Sequence, residues 1–210
     1  MLVGERIKRS CDLAEGSTDE MKRNDFAAIL DARGYKTAAE IGVAWGAYSV
    51  ELLANSHLET LYCVDNWAQR PRNRRCRQPW GIPRNRRRAV RALRPFGVRA
   101  HILWMESGEA AEYLTQRGVM LDFVYVDASH AYADVKRDIE LWWPLVRAGG
   151  ILAGHDYDPS DLRGCRQVMQ AVDQFLGDKN LILFTTNGDQ PAINESWFVN
   201  KPLPNAELSF

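Results

Sequence analysis

Six titratable side chains stand where α/β proteins commonly place catalytic or ligand-binding groups. Four are acids that follow short apolar runs, and two are histidines that flank the last two acids. They are Glu40, Asp65, Asp127, Asp156, His130 and His155. Carboxylates bind ribose hydroxyls and metal ions, and a histidine with a pKa of about 6.5 can accept a proton from a hydroxyl. The pattern predicts a ligand site with a general base.

A glycine-containing turn follows the first apolar run. Residues 37–41 form a short strand, Gly42 and Gly46 lie in the turn, and a helix then runs to about Asn55. Glycine lets backbone approach a bound ligand closely and adopt angles that other residues avoid. Three residues separate the two glycines, which differs from the G-x-G-x-x-G of dinucleotide enzymes. The turn therefore argues against an NAD-dependent oxidoreductase.

Strands and helices are predicted to alternate along the chain that carries these residues. Strands are predicted at 37–41, 61–64, 98–104, 121–127, 151–153, 181–185 and 196–199. Helices are predicted at 21–30, 84–93, 108–113, 132–146 and 163–176, besides the one that ends near residue 55. Gly149 and Gly150 are expected to turn the chain into strand five. The result is a mostly parallel seven-stranded sheet with helices on both faces and an antiparallel C-terminal hairpin. Ligands of such sheets bind beyond the carboxyl ends of the strands.

Bulk composition is typical of a globular protein. The 210 residues are 46% hydrophobic and 26% charged, with a formal net charge of zero. This balance gives no general argument for nucleic acid or an anionic membrane. The four cysteines form no CxxC pair, no signal peptide is recognisable and no apolar run could span a bilayer, so a cytoplasmic location is expected. One domain is predicted over 1–210, with a helical lead-in at 1–35 and an arginine-rich loop or lid at 68–84.

The arginine-rich segment is a local exception to this balance. Eleven arginines lie between residues 70 and 94. They are Arg70, Arg72, Arg74, Arg75, Arg77, Arg84, Arg86, Arg87, Arg88, Arg91 and Arg94. Guanidinium groups suit phosphate and carboxylate, so the segment would form the wall of a site for an anionic acceptor. RNA is a second interpretation, and a solvated helix face with a mobile loop is the third. Trp67 and Trp80 border the segment and would either cover the acceptor or join the core.

Three motifs together resemble a known family. The segment 40–46, Glu-Ile-Gly-Val-Ala-Trp-Gly, followed by Tyr48 and Ser49, resembles the first motif of class I S-adenosylmethionine-dependent methyltransferases. The segment 64–67, Val-Asp-Asn-Trp, resembles their second motif. The segment 125–157 resembles a bacterial subfamily of small methyltransferases akin to antibiotic-sugar and catechol-type O-methyltransferases. The resemblance covers roughly residues 20 to 200. It implies a Rossmann-like methyltransferase fold.

The resemblance also implies roles for single residues. The first motif would hold the methionine part of S-adenosylmethionine, the second its ribose, and the residues after strand three its adenine. The cofactor-binding residues implied are Glu40, Gly42, Gly46, Tyr48, Ser49, Asp65, Asn66, Trp67, Glu106, Ser107 and Asp127. Asp127 would lie beneath the sulfonium and the acceptor. Apart from the resemblance, His130 and His155 flank the two acids, so either is a candidate base, with a loop-capping or backbone-bonding role as the alternative for each. The predicted catalytic residues are His130, Asp127 and His155. The acceptor would be a hydroxyl of a small molecule, such as a sugar or secondary metabolite.

Metal-dependent relatives bind a divalent cation through carboxylates after strands four and five, where this chain has Asp127 and Asp156. Such oxygen ligands suit Mg²⁺, Mn²⁺ or Ca²⁺. Those relatives usually have Asp or Asn directly after the second carboxylate, whereas this chain has Tyr157. Asp158, His155 or water would then have to supply the third ligand.

Other classes of function remain to be tested. They are a nucleotide-binding Rossmann-like module without catalysis, an NAD-dependent oxidoreductase and an RNA methyltransferase that uses the arginine-rich segment. The zero net charge disfavours nucleic acid as the partner. Trp142 and Trp143 point to two sides of one helix, so at least one of them joins the core or an interface, and a homo-oligomer is left open.

Overall fold

A computed structural model describes residues 21–67, 83–158, 165–186 and 196–204. They contain a seven-stranded sheet in the order β3-β2-β1-β4-β5-β7-β6. The strands are β1 (Thr37–Ile41), β2 (Thr60–Val64), β3 (Ala100–Leu103), β4 (Leu121–Val126), β5 (Val146–Gly154), β6 (Phe184–Thr185) and β7 (Trp197–Asn200). Strands β1 to β5 pair in parallel, and β7 is antiparallel to both β5 and β6. The predicted fold class is therefore confirmed, including the antiparallel C-terminal pair.

The described residues include six α-helices, which cover the two faces of the sheet. They are α1 (Phe26–Ala32), α2 (Ala47–Asn55), α3 (Pro83–Leu93), α4 (Ser107–Thr115), α5 (Tyr132–Trp142) and α6 (Cys165–Lys179). Helices α1 to α3 pack on one face around Phe26, Leu52 and Leu93, and α4 to α6 pack on the other around Leu114 and Trp142. Successive side chains of a strand point to opposite faces. Both faces are covered, which explains why these strands are apolar without alternation.

The pair Gly149-Gly150 is not the turn before strand five, which corrects the prediction. Strand β5 already begins at Val146 and contains both glycines. The β4–β5 pairing shifts at this point, because Leu121 pairs with Val146 whereas Phe123 pairs with Ile151. A Cβ on Gly150 would lie 2.8 Å from the Asp122 carbonyl oxygen. The glycines thus form a bulge inside the strand, and a side chain does not fit at Gly150.

Helix α5 is shorter than predicted, because it ends at Trp142 and a 3-10 turn spans Trp143–Leu145. Pro144 lies in this turn and cannot donate to the helix. Trp142 is buried and Trp143 is partly buried, which agrees with two different sides of the helix.

Several predicted features lie outside the described residues. They are the lead-in up to residue 20, the arginines between residues 70 and 77, and Trp80. No helix among the described residues is long and apolar enough to cross a membrane.

Candidate active site

All the predicted site residues lie at one edge of the sheet, the one formed by the carboxyl ends of the parallel strands. In the order of the strands, Glu106 follows β3, Asp65 follows β2, the glycine turn follows β1, Asp127 follows β4 and Asp156 follows β5. Strands β1 and β4 are neighbours, but their connections leave in opposite directions along the sheet. Such a switch point opens a crevice at the carboxyl ends of the strands. Sequence position alone therefore located this edge correctly.

The two glycines of the turn are required by protein contacts. Gly42 has a φ of 99°, and a Cβ there would lie 2.0 Å from the carbonyl oxygen of Asp127. Gly46 has a φ of 87°, and a Cβ there would lie 3.2 Å from the Cα of Ala89 in α3. The turn is therefore held between the end of β4 and helix α3. The contact between Gly42 and the Asp127 backbone places Asp127 directly beside the glycine turn.

Asp65 joins the glycine turn to the end of β2. Its Oδ2 accepts the Ala44 N–H at 2.8 Å, and its Oδ1 accepts the Trp67 N–H at 2.6 Å. The indole N–H of Trp67 donates to the Ala44 carbonyl at 2.6 Å. Each carboxylate oxygen has two lone pairs, so these contacts leave capacity for ribose hydroxyls. Asp65 thus has a structural role beside the predicted ligand role.

Backbone strain is concentrated at this edge. Four described residues other than glycine have a positive φ, and three of them belong to the site. Ala44 lies in the glycine turn, Trp67 follows β2 and Asp156 follows β5, with φ values of 51°, 44° and 62°. Such angles are costly for residues with side chains and persist where the surroundings enforce them. Their positions agree with a functional site at this edge.

The residues predicted for adenine, Glu106 and Ser107 after β3, lie beside the second motif at the end of β2. Asn66 Nδ2 donates to Glu106 Oε1 at 2.6 Å, and the indole N–H of Trp104 donates to the Asn66 carbonyl at 2.8 Å. Glu106 is also the N-cap residue of α4. Ser107 Oγ accepts the indole N–H of Trp142 at 2.9 Å, which ties it to α5. The structure therefore gives every member of this group a local partner.

Glu40 is buried beneath the glycine turn. Its side chain accepts a hydrogen bond from the Ser49 hydroxyl at the start of α2, and its exposed fraction is 2%. Tyr48, also predicted to contact the cofactor, is buried beside it. Burial raises the pKa of Glu40 to about 8, although the Ser49 hydrogen bond and the charge of Arg23 act in the opposite direction. At neutral pH the carboxyl group is therefore mostly protonated.

This shift predicts that stability falls as pH rises. The unfolded chain releases the Glu40 proton near 4.5, whereas the folded chain keeps it up to about 8. The stabilisation is complete below the lower value and is lost as pH rises through the higher one. Urea denaturation between these limits should show a decline of up to about 1.4 kcal/mol per pH unit. We expect Glu40→Gln to flatten the decline and Glu59→Gln, at an exposed side chain, to leave it unchanged. An unaltered decline in Glu40→Gln would contradict the assignment.

The ends of β4 and β5 bring two acids and two histidines together. His130 Nε2 lies 2.8 Å from Asp156 Oδ2, and His155 Nδ1 lies 3.3 Å from the same oxygen. The side chain of Asp156 is 5% exposed and that of His130 is 32% exposed. With Asp127 and Trp197, these residues line a small depression. Asp156 is thus placed to orient a histidine that a ligand can reach.

The two acids of this group have opposite pKa shifts. Burial alone would raise the pKa of Asp156, but the hydrogen bonds from His130 and His155 outweigh it and hold the pKa well below its usual range. Burial raises the pKa of Asp127, and the charges of His155 and Arg23 only partly oppose this effect. Asp156 therefore stays ionised as the partner of the histidines.

Asp127, His130 and Asp156 also form a donor set for a metal ion. One ligand atom from each lies within 4.8 Å of the others. His130, which was predicted as a base, would then take the third position left open by Tyr157. The set is not ideal, however, because the guanidinium of Arg23 lies 3.4 Å from Asp127 Oδ2. A cation at Asp127 would meet this positive charge at short range.

Two residues at the site have no counterpart in the sequence predictions. Arg23 precedes α1 and reaches Asp127, which lies 104 positions later in the chain. Trp197 in β7 is fully buried, and its indole N–H has no hydrogen-bond partner among the described residues. Neither residue belongs to a motif or follows a predicted parallel strand. They are recognised as part of the site only from contacts between segments that are far apart in the chain.

This combination of features defines a class I methyltransferase. The sheet has an antiparallel β7 inserted between β5 and β6, the glycine turn follows β1, and an acid follows β2. A family profile described as "Methyltransferase domain" matches residues 39–157, which is more than half of the chain. The protein therefore belongs to this methyltransferase family, and the prediction of a class I S-adenosylmethionine-dependent methyltransferase is confirmed.

Solved structures share the fold at low sequence identity. An O-methyltransferase from Bacillus cereus in complex with SAH is 12% identical over 85% of this chain and 80% of its own, with a TM-score of 0.63. TomG, an O-methyltransferase of tomaymycin synthesis from Streptomyces achromogenes solved with SAM, is 15% identical over 85% and 78%, with a TM-score of 0.59.

The N-methyltransferase NodS from Bradyrhizobium japonicum is also similar. It is 14% identical over 86% of this chain and 94% of its own, with a TM-score of 0.58. No curated protein matches the sequence significantly. At these identities the likeness shows the fold alone. The acceptor atom must therefore be argued from the site.

Proposed function

We propose that the protein transfers the methyl group of S-adenosylmethionine to a hydroxyl of a small molecule. The observation that carries this proposal is the His130–Asp156 pair at 2.8 Å. The pair lies beside Asp127, whose backbone contacts the glycine turn at Gly42. A neutral hydroxyl is a weak nucleophile and needs a base, whereas an amine attacks without one. A partly exposed histidine oriented by a buried carboxylate supplies that base. A sugar or another secondary metabolite is the proposed kind of acceptor.

The proposed cofactor site runs along β1, β2 and β3. When bound, S-adenosylmethionine supplies an electrophilic methyl group on a sulfonium. The glycine turn and Glu40 would surround its methionine part, Asp65 would accept hydrogen bonds from its ribose hydroxyls, and Asn66 and Glu106 would lie near its adenine. The main contribution of these residues is alignment, because an in-line displacement requires the two reacting atoms in near-attack geometry.

The proposed acceptor site lies at the ends of β4 and β5. The Asp156 carboxylate accepts the His130 Nε2–H and thereby favours the tautomer with its lone pair on Nδ1. His130 would then take the proton of the acceptor hydroxyl as its oxygen attacks the methyl group that the bound cofactor would supply, with S-adenosylhomocysteine as the leaving group. The negative charge of Asp156 stabilises the resulting imidazolium. His155 Nδ1 lies 3.3 Å from the same oxygen and helps to hold Asp156 in place.

A divalent cation is the alternative means of activating the hydroxyl. Asp127, His130 and Asp156 would hold it, and it would lower the pKa of the bound hydroxyl. We favour the base, because Asp156 already bonds His130 and Asp127 already faces the positive charge of Arg23. The two routes differ in their response to chelation, as described below.

The arginine-rich helix supports an anionic acceptor. Helix α3 packs against the glycine turn through Ala89, and no acid lies between residues 83 and 94. Arg84, Arg87, Arg88 and Arg91 are exposed, and the Arg86 guanidinium lies 3.7 Å from the ring centroid of Trp104. A phosphate or carboxylate on the acceptor would find donors there. RNA as the acceptor would instead require binding that weakens steeply with salt and in the Arg87→Ala, Arg88→Ala double variant.

Calorimetry tests the proposed cofactor. We expect the wild-type protein to bind both S-adenosylmethionine and S-adenosylhomocysteine. Asp65→Ala should weaken both about 10- to 150-fold, because it removes hydrogen bonds between a charged group and the ribose that contribute about 1.5–3 kcal/mol. Glu59→Ala, at an exposed carboxylate at the opposite edge, is the matched control. Wild-type protein that binds neither ligand at high micromolar concentration would overturn the proposed function.

A nucleotide-binding module without catalysis would bind the same ligands. The two functions differ in turnover, which is measured as release of S-adenosylhomocysteine while cofactor-loaded protein is screened against hydroxylated metabolites. The single-domain organisation over 1–210 and the cytoplasmic location stay predictions.

A further inference from the structure

Arg23 is a cation fixed inside the proposed cofactor site. It begins the 3-10 turn Arg23–Asp25 before α1. Its guanidinium carbon lies 3.9 Å from the ring centroid of Tyr48 in α2 and 5.2 Å from that of Tyr125 in β4. Both rings are buried. The aromatic faces hold the charge between the start of α2 and the end of β4.

The hydrogen bonding of this guanidinium is incomplete. Its Nη2 lies 3.4 Å from Asp127 Oδ2, which exceeds the length of about 2.7–2.9 Å typical of a charge-assisted hydrogen bond. Its Nε is buried and has no hydrogen-bond partner among the described residues. A buried donor left unpaired costs about 1–3 kcal/mol. An anion that enters the site and accepts hydrogen bonds from this guanidinium would remove that cost.

The neighbours of Arg23 indicate which anion this is. Tyr48 lies in the first turn of α2, two residues after Gly46, and the backbone of Asp127 lies against Gly42. Arg23 therefore lies at the glycine turn, where the methionine part of the cofactor is proposed to bind. That part is a zwitterion with one ammonium and one carboxylate. Arg23 and Asp127 present the two opposite charges side by side.

We propose that Arg23 binds the α-carboxylate of S-adenosylmethionine, while Asp127 faces the adjacent ammonium. The inference rests on the cofactor proposed above and adds a residue from outside its sequence motifs. The loose Arg23–Asp127 pair is exchanged for two pairs with the ligand, so neither of these partly buried charges loses its partner. Selectivity for cofactors with an intact amino-acid end follows.

The test compares two ligands that differ only in this carboxylate. Calorimetry measures the dissociation constants of S-adenosylmethionine and decarboxylated S-adenosylmethionine for the wild type and Arg23→Met. We expect the wild type to prefer the intact cofactor about 10- to 150-fold, as for a hydrogen bond between charged groups. Arg23→Met should weaken binding of S-adenosylmethionine by a similar factor and leave the decarboxylated ligand within about threefold.

Matched variants separate this role from a structural one. Arg23→Lys keeps the charge and should retain part of the preference. Arg33, which lies beside Tyr35 and hydrogen-bonds Asn200, provides the control Arg33→Met, for which both affinities should stay unchanged. Equal losses for both ligands in Arg23→Met, or none for either, would overturn the inference. Wild-type protein that binds neither ligand would instead overturn the proposed function on which it rests.

Discussion

Replacing His130 with alanine is expected to lower kcat by a factor of about 10²–10⁴, the usual contribution of a general base. The affinity for S-adenosylhomocysteine should change little, because His130 lies after β4 on the acceptor side of Asp127. Asp156→Asn should cause a smaller loss of kcat, since the amide can no longer select the histidine tautomer through a charged hydrogen bond. The measurement is release of S-adenosylhomocysteine with an acceptor found by screening.

His101→Ala is the matched control, because His101 is an exposed histidine on β3. It should leave kcat unchanged. His130→Ala with the turnover of the wild type would remove the histidine from the mechanism. A loss confined to KM would show that His130 only binds the acceptor.

Chelation separates the base from a cation. If His130 is the base, an excess of EDTA should leave wild-type turnover within about twofold of its value in buffer. If Asp127, His130 and Asp156 hold a cation that activates the hydroxyl, EDTA should abolish turnover and Mg²⁺ or Mn²⁺ should restore it. His130→Ala would lower activity in both cases, so the chelation result is the one that decides.

Gly42→Ala is expected to lower the free energy of unfolding by about 3 kcal/mol or more. A Cβ there would lie 2.0 Å from the carbonyl oxygen of Asp127, so the ends of β1 and β4 would have to move apart. Overpacking of this kind costs about 1–3 kcal/mol, and a φ of 99° adds strain for any residue with a Cβ. Urea denaturation followed by circular dichroism measures the change.

Gly118→Ala is the matched control for this substitution. Gly118 also has a positive φ, of 65°, but a Cβ there would meet nothing within 4 Å. It should lose only about 1 kcal/mol, from backbone strain alone. Equal losses at both positions would show that the contact with Asp127 is not what requires glycine at position 42.

Local sequence patterns were sufficient to predict the architecture and the residues at the carboxyl ends of the parallel strands. Each buried strand is a short apolar run, and the residue after it necessarily lies at the carboxyl edge, so Glu106, Asp65, Asp127 and Asp156 were located correctly. The same reasoning failed at Gly149-Gly150. A glycine pair is equally compatible with a turn and with a bulge, and only the pairing with β4 decides between them.

The class of protein, the strand ends and the types of chemical group at them could therefore be predicted from the sequence. Which of these groups contact one another became known only from the folded chain. His130 pairs with Asp156, Asp65 holds the glycine turn, and Gly42 is required by the Asp127 backbone. Arg23 reaches Asp127 from 104 positions away. The physical reason is that strand and turn signals are local, whereas ion pairs and ring contacts depend on packing between segments that no sequence period connects.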